Sequence, residues 1–228
     1  LLAGDAERSA ALASGELIAT VALAGDQPRA VNADFAGLTL TAADGQAAVA
    51  EVGAGHASID PSRTLFDVTA TGDSWAVDTA RAGAFGALAT AAQLVGAGSA
   101  LLDASVEYAK QRTQFGRPIA GFQLTQAKLA DMALELHKGQ LLSLHLGRLK
   151  DGAGLRPEQV SFGKLNNTRE AIKICRTART ILGGNGISLE YPVIRHMVNL
   201  ESVLTYEGTA EMHQLVLGQA FTGSDAFR

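Results

Sequence analysis

Apolar residues recur with two different periods along this chain, and the change of period divides it into two parts. Up to about residue 68 they form short alternating or continuous runs, the pattern of β-strands: Glu16–Leu23, Leu38–Thr41, Ala47–Val52 and Leu65–Val68. Turn-forming residues separate the runs at Gly25–Pro28, Asp44–Gly45, Gly53–Gly55 and Asp60–Pro61. Residues 1–15 are typical of the end of a helix that closes at Ser14-Gly15.

After about Gly72 the apolar residues follow a helical period. The predicted helices are Trp75–Gln111 (one long helix or two stacked ones), Leu124–Lys150, Pro157–Leu182, Pro192–Val203 and one that starts at Thr209. Pro157 suits a first helical turn, and Gly183-Gly184 suits a C-cap. We therefore expect a mostly α protein: a small, shortened β domain over residues 1–72, then an antiparallel helical bundle over residues 73–228.

Composition narrows the class of protein. With 47% hydrophobic residues the chain can bury a sizeable core, and a net charge of −4 gives no reason to expect nucleic acid or an acidic membrane as partner. The single cysteine, Cys175, excludes an internal disulfide and a multi-cysteine metal site, and its helical apolar surroundings indicate a buried, inert thiol. We expect no metal.

Two stretches bear on location. No charged residue occurs between Arg81 and Asp103, about the length that a bilayer needs, but alanine and glycine dominate, so we interpret the stretch as a core helix rather than a membrane span. The chain begins with leucine rather than methionine, and Leu1–Leu12 has neither a basic region nor a long apolar one. We therefore expect no signal peptide and a cytoplasmic, bacterial-like location.

A carboxylate between an aromatic residue and a glycine is the first candidate for chemistry. In Tyr206-Glu207-Gly208-Thr209, the threonine can N-cap the helix that follows, and the glycine lets the backbone bend. Glu207 therefore lies in the turn before a helix, where apolar neighbours would raise its pKa and the helix N-terminus would lower it. It is either a general base or an exposed loop glutamate.

Two further segments have chemistry that the residues alone leave open. Arg112–Pro118 brings two guanidinium groups, a hydroxyl and an aromatic ring to a glycine turn, which suits a phosphate-bearing, flat-ringed ligand or a solvated connector. Leu182–Gly186 is a glycine cluster after a helix, either a simple C-cap or backbone brought close to a cofactor. The scattered histidines indicate surface or packing roles.

The order and spacing of these motifs resemble one family. Arg112-x-Gln114-Phe115-Gly116-x-Pro118, Phe122-Gln123, Leu129-Ala130-Asp131-Met132, Leu182-Gly183-Gly184-Asn185-Gly186 and Tyr206-Glu207-Gly208-Thr209 resemble the carboxy-terminal helical domain of the acyl-CoA dehydrogenases. Residues 124–227 are most similar to the glutaryl-CoA dehydrogenase branch, and the resemblance covers about residues 73–228.

The resemblance implies FAD-dependent α,β-dehydrogenation of an acyl-CoA thioester, with Glu207 as catalytic base. It implies a flavin shared across a subunit interface, a homotetramer or dimer of dimers (or a heteromer with a related subunit), and an electron-transfer flavoprotein as acceptor. The implied substrate contacts are Arg81 and Gly208, with Phe227 as a terminal ligand contact. The implied cofactor contacts are Arg112, Gln114, Phe115, Gln123, Thr180, Ile181, Leu182, Gly183, Gly184 and Thr209.

The amino-terminal third departs from the family pattern. Only Leu1–Leu23 resembles the family's helical domain exit and first strand, and the motifs expected to hold the flavin ring are not found, with Ala22-Leu23-Ala24-Gly25-Asp26 in place of one of them. The arginine by which the family recognises the distal carboxylate of glutarate belongs to the part of the family pattern that is not found here, so decarboxylation of glutaryl-CoA is not implied. Two alternatives stay open: a shortened acyl-CoA dehydrogenase that binds FAD, or a non-catalytic truncated, chimeric or partner subunit that contributes structure and half of a flavin site.

Overall fold

A computed structural model of the chain describes residue 2, residues 5–23 and residues 28–226. They fall into two compact units, Leu1–Gly83, here called the sheet unit, and Ala84–Arg228, the helical unit. Most of the predicted turn at Gly25–Pro28, residues 24–26 of the divergent flavin motif, and Phe227 lie outside the described residues.

The described residues of the sheet unit form one short helix, a five-stranded sheet and the start of a longer helix. Its elements are α1 (Ala6–Ser14), β1 (Ala19–Leu23), β2 (Arg29–Val31), β3 (Leu38–Ala43), β4 (Gln46–Ala57) and β5 (Thr64–Ala76). The strand order is β1-β3-β4-β5-β2, with β1 parallel to β3 and the other pairs antiparallel. The two outer strands approach each other, since the Thr20 hydroxyl donates to the Val31 carbonyl at 2.9 Å.

Two predictions for this unit are wrong. Trp75 does not begin a helix, because it pairs with Ala47 and extends β5 to Ala76, so that residue 72 falls within a strand. Gly53–Gly55 is not a turn but an irregularity inside β4, where the register shifts between Val52 and Gly55. A Cβ at Gly55 would lie 2.9 Å from the Phe66 ring, so close strand packing rather than chain reversal requires these glycines.

The predicted helical part is confirmed as five helices. They are α2 (Thr79–Gln111), a single long helix that begins in the sheet unit, α3 (Gln123–Asp151), α4 (Pro157–Leu182), α5 (Val193–Thr205) and α6 (Ala210–Thr222). The connector between α2 and α3 holds a small hairpin that the sequence did not predict, β6 (Thr113–Gln114) and β7 (Arg117–Pro118), followed by a 3₁₀ turn over Ile119–Gly121.

Capping residues set the ends of these helices where the sequence predicted them. Pro157 occupies the first turn of α4, and Gly183 ends it with φ of 61°. The Thr209 hydroxyl accepts from the Met212 backbone N–H at 3.3 Å and starts α6. The helices enclose one core, which includes Leu94, Leu101, Met132, Leu136, Ile174, Leu182, Val193 and Leu200.

Helix α2 is long and apolar enough to cross a membrane by length and composition alone. Nine of its residues are buried within the folded chain, however, among them Ala91, Leu101 and Ala109 with no exposed surface. These are nine of its 33 residues, and 33% of its most apolar window is buried inside the protein.

Candidate active site

The turn between α5 and α6 places Glu207 in an unusual backbone conformation. Its φ is 56°, and that of Gly208 is 88°, so both residues are in the left-handed region. For a residue with a Cβ this conformation costs about 1–2 kcal/mol, and a non-glycine residue keeps it only when surrounding contacts hold it. Two buried side chains supply these contacts.

The first is Lys164, on α4, whose side chain is only 1% exposed. Its ammonium group donates to the carbonyls of Val203 at 2.6 Å, Tyr206 at 2.9 Å and Gly208 at 3.1 Å. An ammonium group has three N–H donors, so all three are used on carbonyls from the end of α5 and the turn itself. Lys164 therefore fixes the backbone on both sides of Glu207.

The second is His213, on α6, which is buried and so follows the packing alternative of its predicted surface or packing role. Its Nε2 lies 3.1 Å from the Glu207 carbonyl oxygen and its Nδ1 3.1 Å from the Ser161 hydroxyl. Because a carbonyl can only accept, Nε2 carries the proton, and the Ser161 hydroxyl donates to Nδ1. Burial lowers the pKa of His213, which favours this neutral form.

The Glu207 carboxylate lies against helix α2. A Cβ at Gly86 would stand 2.7 Å from Oε2, so only glycine leaves room for the carboxylate here. The side chain is half-buried, and burial raises the pKa of Glu207 while the Lys164 charge acts in the opposite direction. A partly desolvated carboxylate with a raised pKa and a nearby cation is suited to accept a proton near neutral pH.

The predicted cofactor residues of the connector are all exposed. Arg112 follows α2 directly, Gln114 lies in β6, and Gln123 begins α3. Phe115 is 93% exposed at the hairpin tip, with φ of 52°, and its ring meets that of Phe122 edge to face at 6.2 Å. The hairpin therefore presents a guanidinium group, amides and an aromatic ring outward.

The other predicted cofactor segment ends α4. Thr180, Gly183 and Gly184 are exposed, and a Cβ at either glycine would meet nothing within 4 Å, whereas Ile181 and Leu182 are buried in the core. The Asn185 amide donates to the Tyr108 hydroxyl at 3.1 Å, and the Tyr108 carbonyl accepts from Arg112 N–H at 2.8 Å. The glycine turn and the base of the hairpin are thereby tied together.

The structure does not bring these two segments to Glu207 within one chain. Lys164, which contacts the Glu207 turn, and Leu182, next to the glycine turn, are both on α4, 18 residues apart, which at 1.5 Å per residue is about 27 Å along the helix. Thr209 and Gly208 lie beside Glu207 in the chain. Arg81, in the first turn of α2, is exposed, and its backbone N–H donates to the Asp78 carboxylate at 2.8 Å.

Sequence reasoning missed Lys164, Gly86 and the link from Ser161 to His213. One signal was available for the lysine: it shares a helical stripe with Val160, Thr168, Ala171 and Cys175, all buried. Cys175 itself is buried as predicted, and burial raises the pKa of its thiol to about 12. No feature of the sequence around Gly86 predicts its role, because Glu207, the residue that it contacts, lies 121 positions later in the chain.

Comparison with known proteins points in one direction. Residues 75–222 match the family model described as the acyl-CoA dehydrogenase, C-terminal domain. A probable acyl-CoA dehydrogenase of Bacillus subtilis is 39% identical over 134 residues, which are 59% of this chain and 35% of that relative. The match thus spans about a third of the length of this curated relative.

Solved structures extend the similarity to the sheet unit. The crystal structure of glutaryl-CoA dehydrogenase from Mycobacterium smegmatis is 38% identical, with a TM-score of 0.82, over 96% of this chain and 69% of that one. A second structure of a glutaryl-CoA dehydrogenase from that organism, in complex with FADH2, is 34% identical with a TM-score of 0.79, again over 96% of this chain and 69% of that one. The resemblance to this branch is therefore confirmed.

Proposed function

Because this chain belongs to the acyl-CoA dehydrogenase family, we propose that it takes part in flavin-dependent α,β-dehydrogenation of an acyl-CoA thioester with Glu207 as the base. The observation that supports this proposal most is the Glu207 turn itself. Its half-buried carboxylate has a raised pKa, an interacting cation in Lys164, and a backbone held in a left-handed conformation by two buried side chains.

The reaction removes one proton and one hydride. Glu207 accepts the proton from the α-carbon, and the C–H electron pair left behind forms the new double bond as the hydride leaves the β-carbon. Bound FAD supplies the two-electron acceptor for that hydride. The backbone N–H of Glu207 would help to hold the thioester carbonyl, which makes the α-proton more acidic. We expect an electron-transfer flavoprotein to reoxidise the cofactor.

The residues present fit the diphosphate and adenosine parts of FAD. Arg112 offers an exposed guanidinium group that suits phosphate oxygens, with the Gln123 amide nearby in sequence. Gly183 and Gly184 leave their backbone open, because no atom fills the space that a Cβ would take, and Thr180 adds an exposed hydroxyl. Gln114 and Phe115 would extend this surface along the hairpin, Ile181 and Leu182 would support it from the core, and Thr209 would contact the flavin beside the base.

The separation of the two halves supports a shared site. Lys164, which contacts the Glu207 turn, and Leu182, next to the glycine turn, lie about 27 Å apart along α4, so a site in which one subunit supplies the base and its neighbour the diphosphate contacts fits this geometry. We propose a homotetramer, or dimer of dimers, on this basis. Gly208 would line the acyl site beside the base, and Arg81 would contact the CoA moiety.

An absorbance spectrum tests the proposal. The protein purified with FAD should be yellow, and a panel of acyl-CoA thioesters of varied chain length should bleach the flavin bands, most strongly for the preferred chain. A protein that binds FAD but is bleached by no thioester in the panel would contradict the proposed activity. A colourless assembly would favour the non-catalytic alternative.

A further inference from the structure

Lys164 has the most deeply buried charge-bearing side chain among the described residues, yet its three partners are all neutral carbonyl groups. A buried ammonium group is costly unless hydrogen bonds and an opposite charge compensate for its lost hydration. The carbonyls supply the hydrogen bonds. The opposite charge that acts on Lys164 is the carboxylate of Glu207.

The three carbonyls are not scattered over the molecule. Those of Val203 and Tyr206 end α5, and that of Gly208 lies just beyond Glu207. One ammonium group therefore gathers the backbone before and after Glu207 into a single tight turn. If this nitrogen were removed, the three carbonyls would lose its hydrogen bonds, and of the contacts described above only that of His213, itself paired with Ser161 on α4, would still hold the left-handed residue.

Building on the proposed function, we propose that Lys164 is a positioning residue for Glu207: its three hydrogen bonds to the turn aim the carboxylate, and its positive charge acts on that carboxylate.

The groups that face Lys164 are few. The turn contributes Glu207 and the Tyr206 ring, whose centroid lies 6.0 Å from the Lys164 nitrogen, and α6 contributes His213, whose pKa the Lys164 charge lowers. From α5 the contact is the carbonyl of Val203, which carries no charge. Burial lowers the pKa of Lys164 to about 8, and Glu207 opposes that shift. The coupling is reciprocal, so Lys164 lowers the pKa of Glu207 by favouring its charged form.

The test compares Lys164→Met with Lys173→Met, a matched change at an exposed lysine on the same helix that pairs with Glu170 at 2.6 Å. In Lys164→Met the acid limb of the kcat/KM profile should move to higher pH, and kcat should fall roughly tenfold to hundredfold with KM nearly unchanged. Lys173→Met should match the wild type in both respects. An unshifted acid limb in folded Lys164→Met would overturn the proposal.

A second readout does not depend on turnover. In protein labelled with ¹³C at the glutamate carboxyl carbons, Glu207 can be assigned as the signal lost in Glu207→Gln, and its pKa should rise in Lys164→Met. If Lys164→Met does not fold, the reciprocal measurement decides: the pKa of Lys164, followed at its side-chain carbon in Glu207→Gln, should fall below its wild-type value. No change in either titration would overturn the coupling.

These outcomes separate the two proposals. If no thioester bleaches the flavin of the wild-type protein, the proposed function is contradicted. The titrations of the Glu207 carboxyl group and of Lys164 would still measure the coupling between these two residues. Conversely, if thioesters still bleach the flavin in Lys164→Met and the pH profile of kcat/KM is unshifted, only the positioning role of Lys164 is contradicted.

Discussion

The Glu207 carboxylate occupies the space in which residue 86 would carry a side chain. A Cβ built on Gly86 would lie 2.7 Å from Oε2 and 2.9 Å from Oε1, both much closer than non-bonded atoms allow. The obstructing atoms are the far end of a flexible side chain, so Glu207 would move rather than the helix. The missing side chain at Gly86 therefore leaves the space on helix α2 that the Glu207 carboxylate occupies.

Gly86→Ala should separate activity from stability. Alanine favours a helix interior by about 1 kcal/mol over glycine, so the thermal midpoint should stay the same or rise. The displaced carboxylate should nevertheless lower kcat by about tenfold to a hundredfold. Gly96→Ala, in the same helix with nothing within 4 Å of its Cβ, is the control and should keep full activity. Equal kcat values for the two variants would show that the carboxylate position does not matter.

Arg112→Ala should weaken FAD retention. Loss of a charge-assisted hydrogen bond to phosphate costs about 1.5–3 kcal/mol, which corresponds to roughly a tenfold to hundredfold rise in the FAD dissociation constant. Equilibrium dialysis against FAD measures this directly. The control is Arg148→Ala, a change at an exposed arginine in the last turn of α3. Flavin binding that is the same in both variants would remove Arg112 from its assigned role.

His213→Leu should lower the free energy of unfolding by about 1–3 kcal/mol at pH 8, because Ser161 and the Glu207 carbonyl lose a buried partner. The difference in unfolding free energy between the wild type and His213→Leu should become smaller as the pH is lowered. Burial lowers the folded-state pKa of His213, so the unfolded chain takes up its proton first, and wild-type stability falls as pH drops from about 6.5 through the folded pKa.

Urea unfolding at several pH values checks this prediction for His213. As the control, His145→Leu changes an exposed histidine on α3 and should leave the unfolding free energy at pH 8 nearly unchanged. A gap between wild type and His213→Leu that stays constant from pH 8 to pH 5 would show that the histidine is not held neutral by the fold.

Local signals predicted the helical unit well, since its ends depend on residues close in sequence. Thr209, Pro157 and Gly183 each act within one turn of their own position, so their roles follow from the chemistry of one residue and its neighbours. The β5 strand shows the limit of this reasoning. Trp75 lies in a strand because β4 pairs with it, and that pairing joins residues 28 positions apart.

The site divides in the same way. The motif around Glu207 predicted a turn before a helix, because glycine follows it and a capping threonine comes next, but the motif left open whether Glu207 is a general base or an exposed loop glutamate. The residues that contact the Glu207 turn are distant in sequence: Lys164 lies 43 positions before Glu207, and Gly86 lies 121 positions before it. Hydrogen bonds and close approaches over such separations follow from tertiary packing, which no short window of sequence contains.

The most direct test of the central claim is the exchange of the substrate α-proton with solvent. In D2O, with an acyl-CoA thioester bound to the flavin-loaded protein, the wild type should place deuterium at the α-carbon, and Glu207→Gln should not, although it keeps its fold and flavin. Glu211→Gln, a change at an exposed carboxylate in the first turn of α6, should exchange like the wild type. Exchange by Glu207→Gln at the wild-type rate would contradict the assignment of Glu207 as the base.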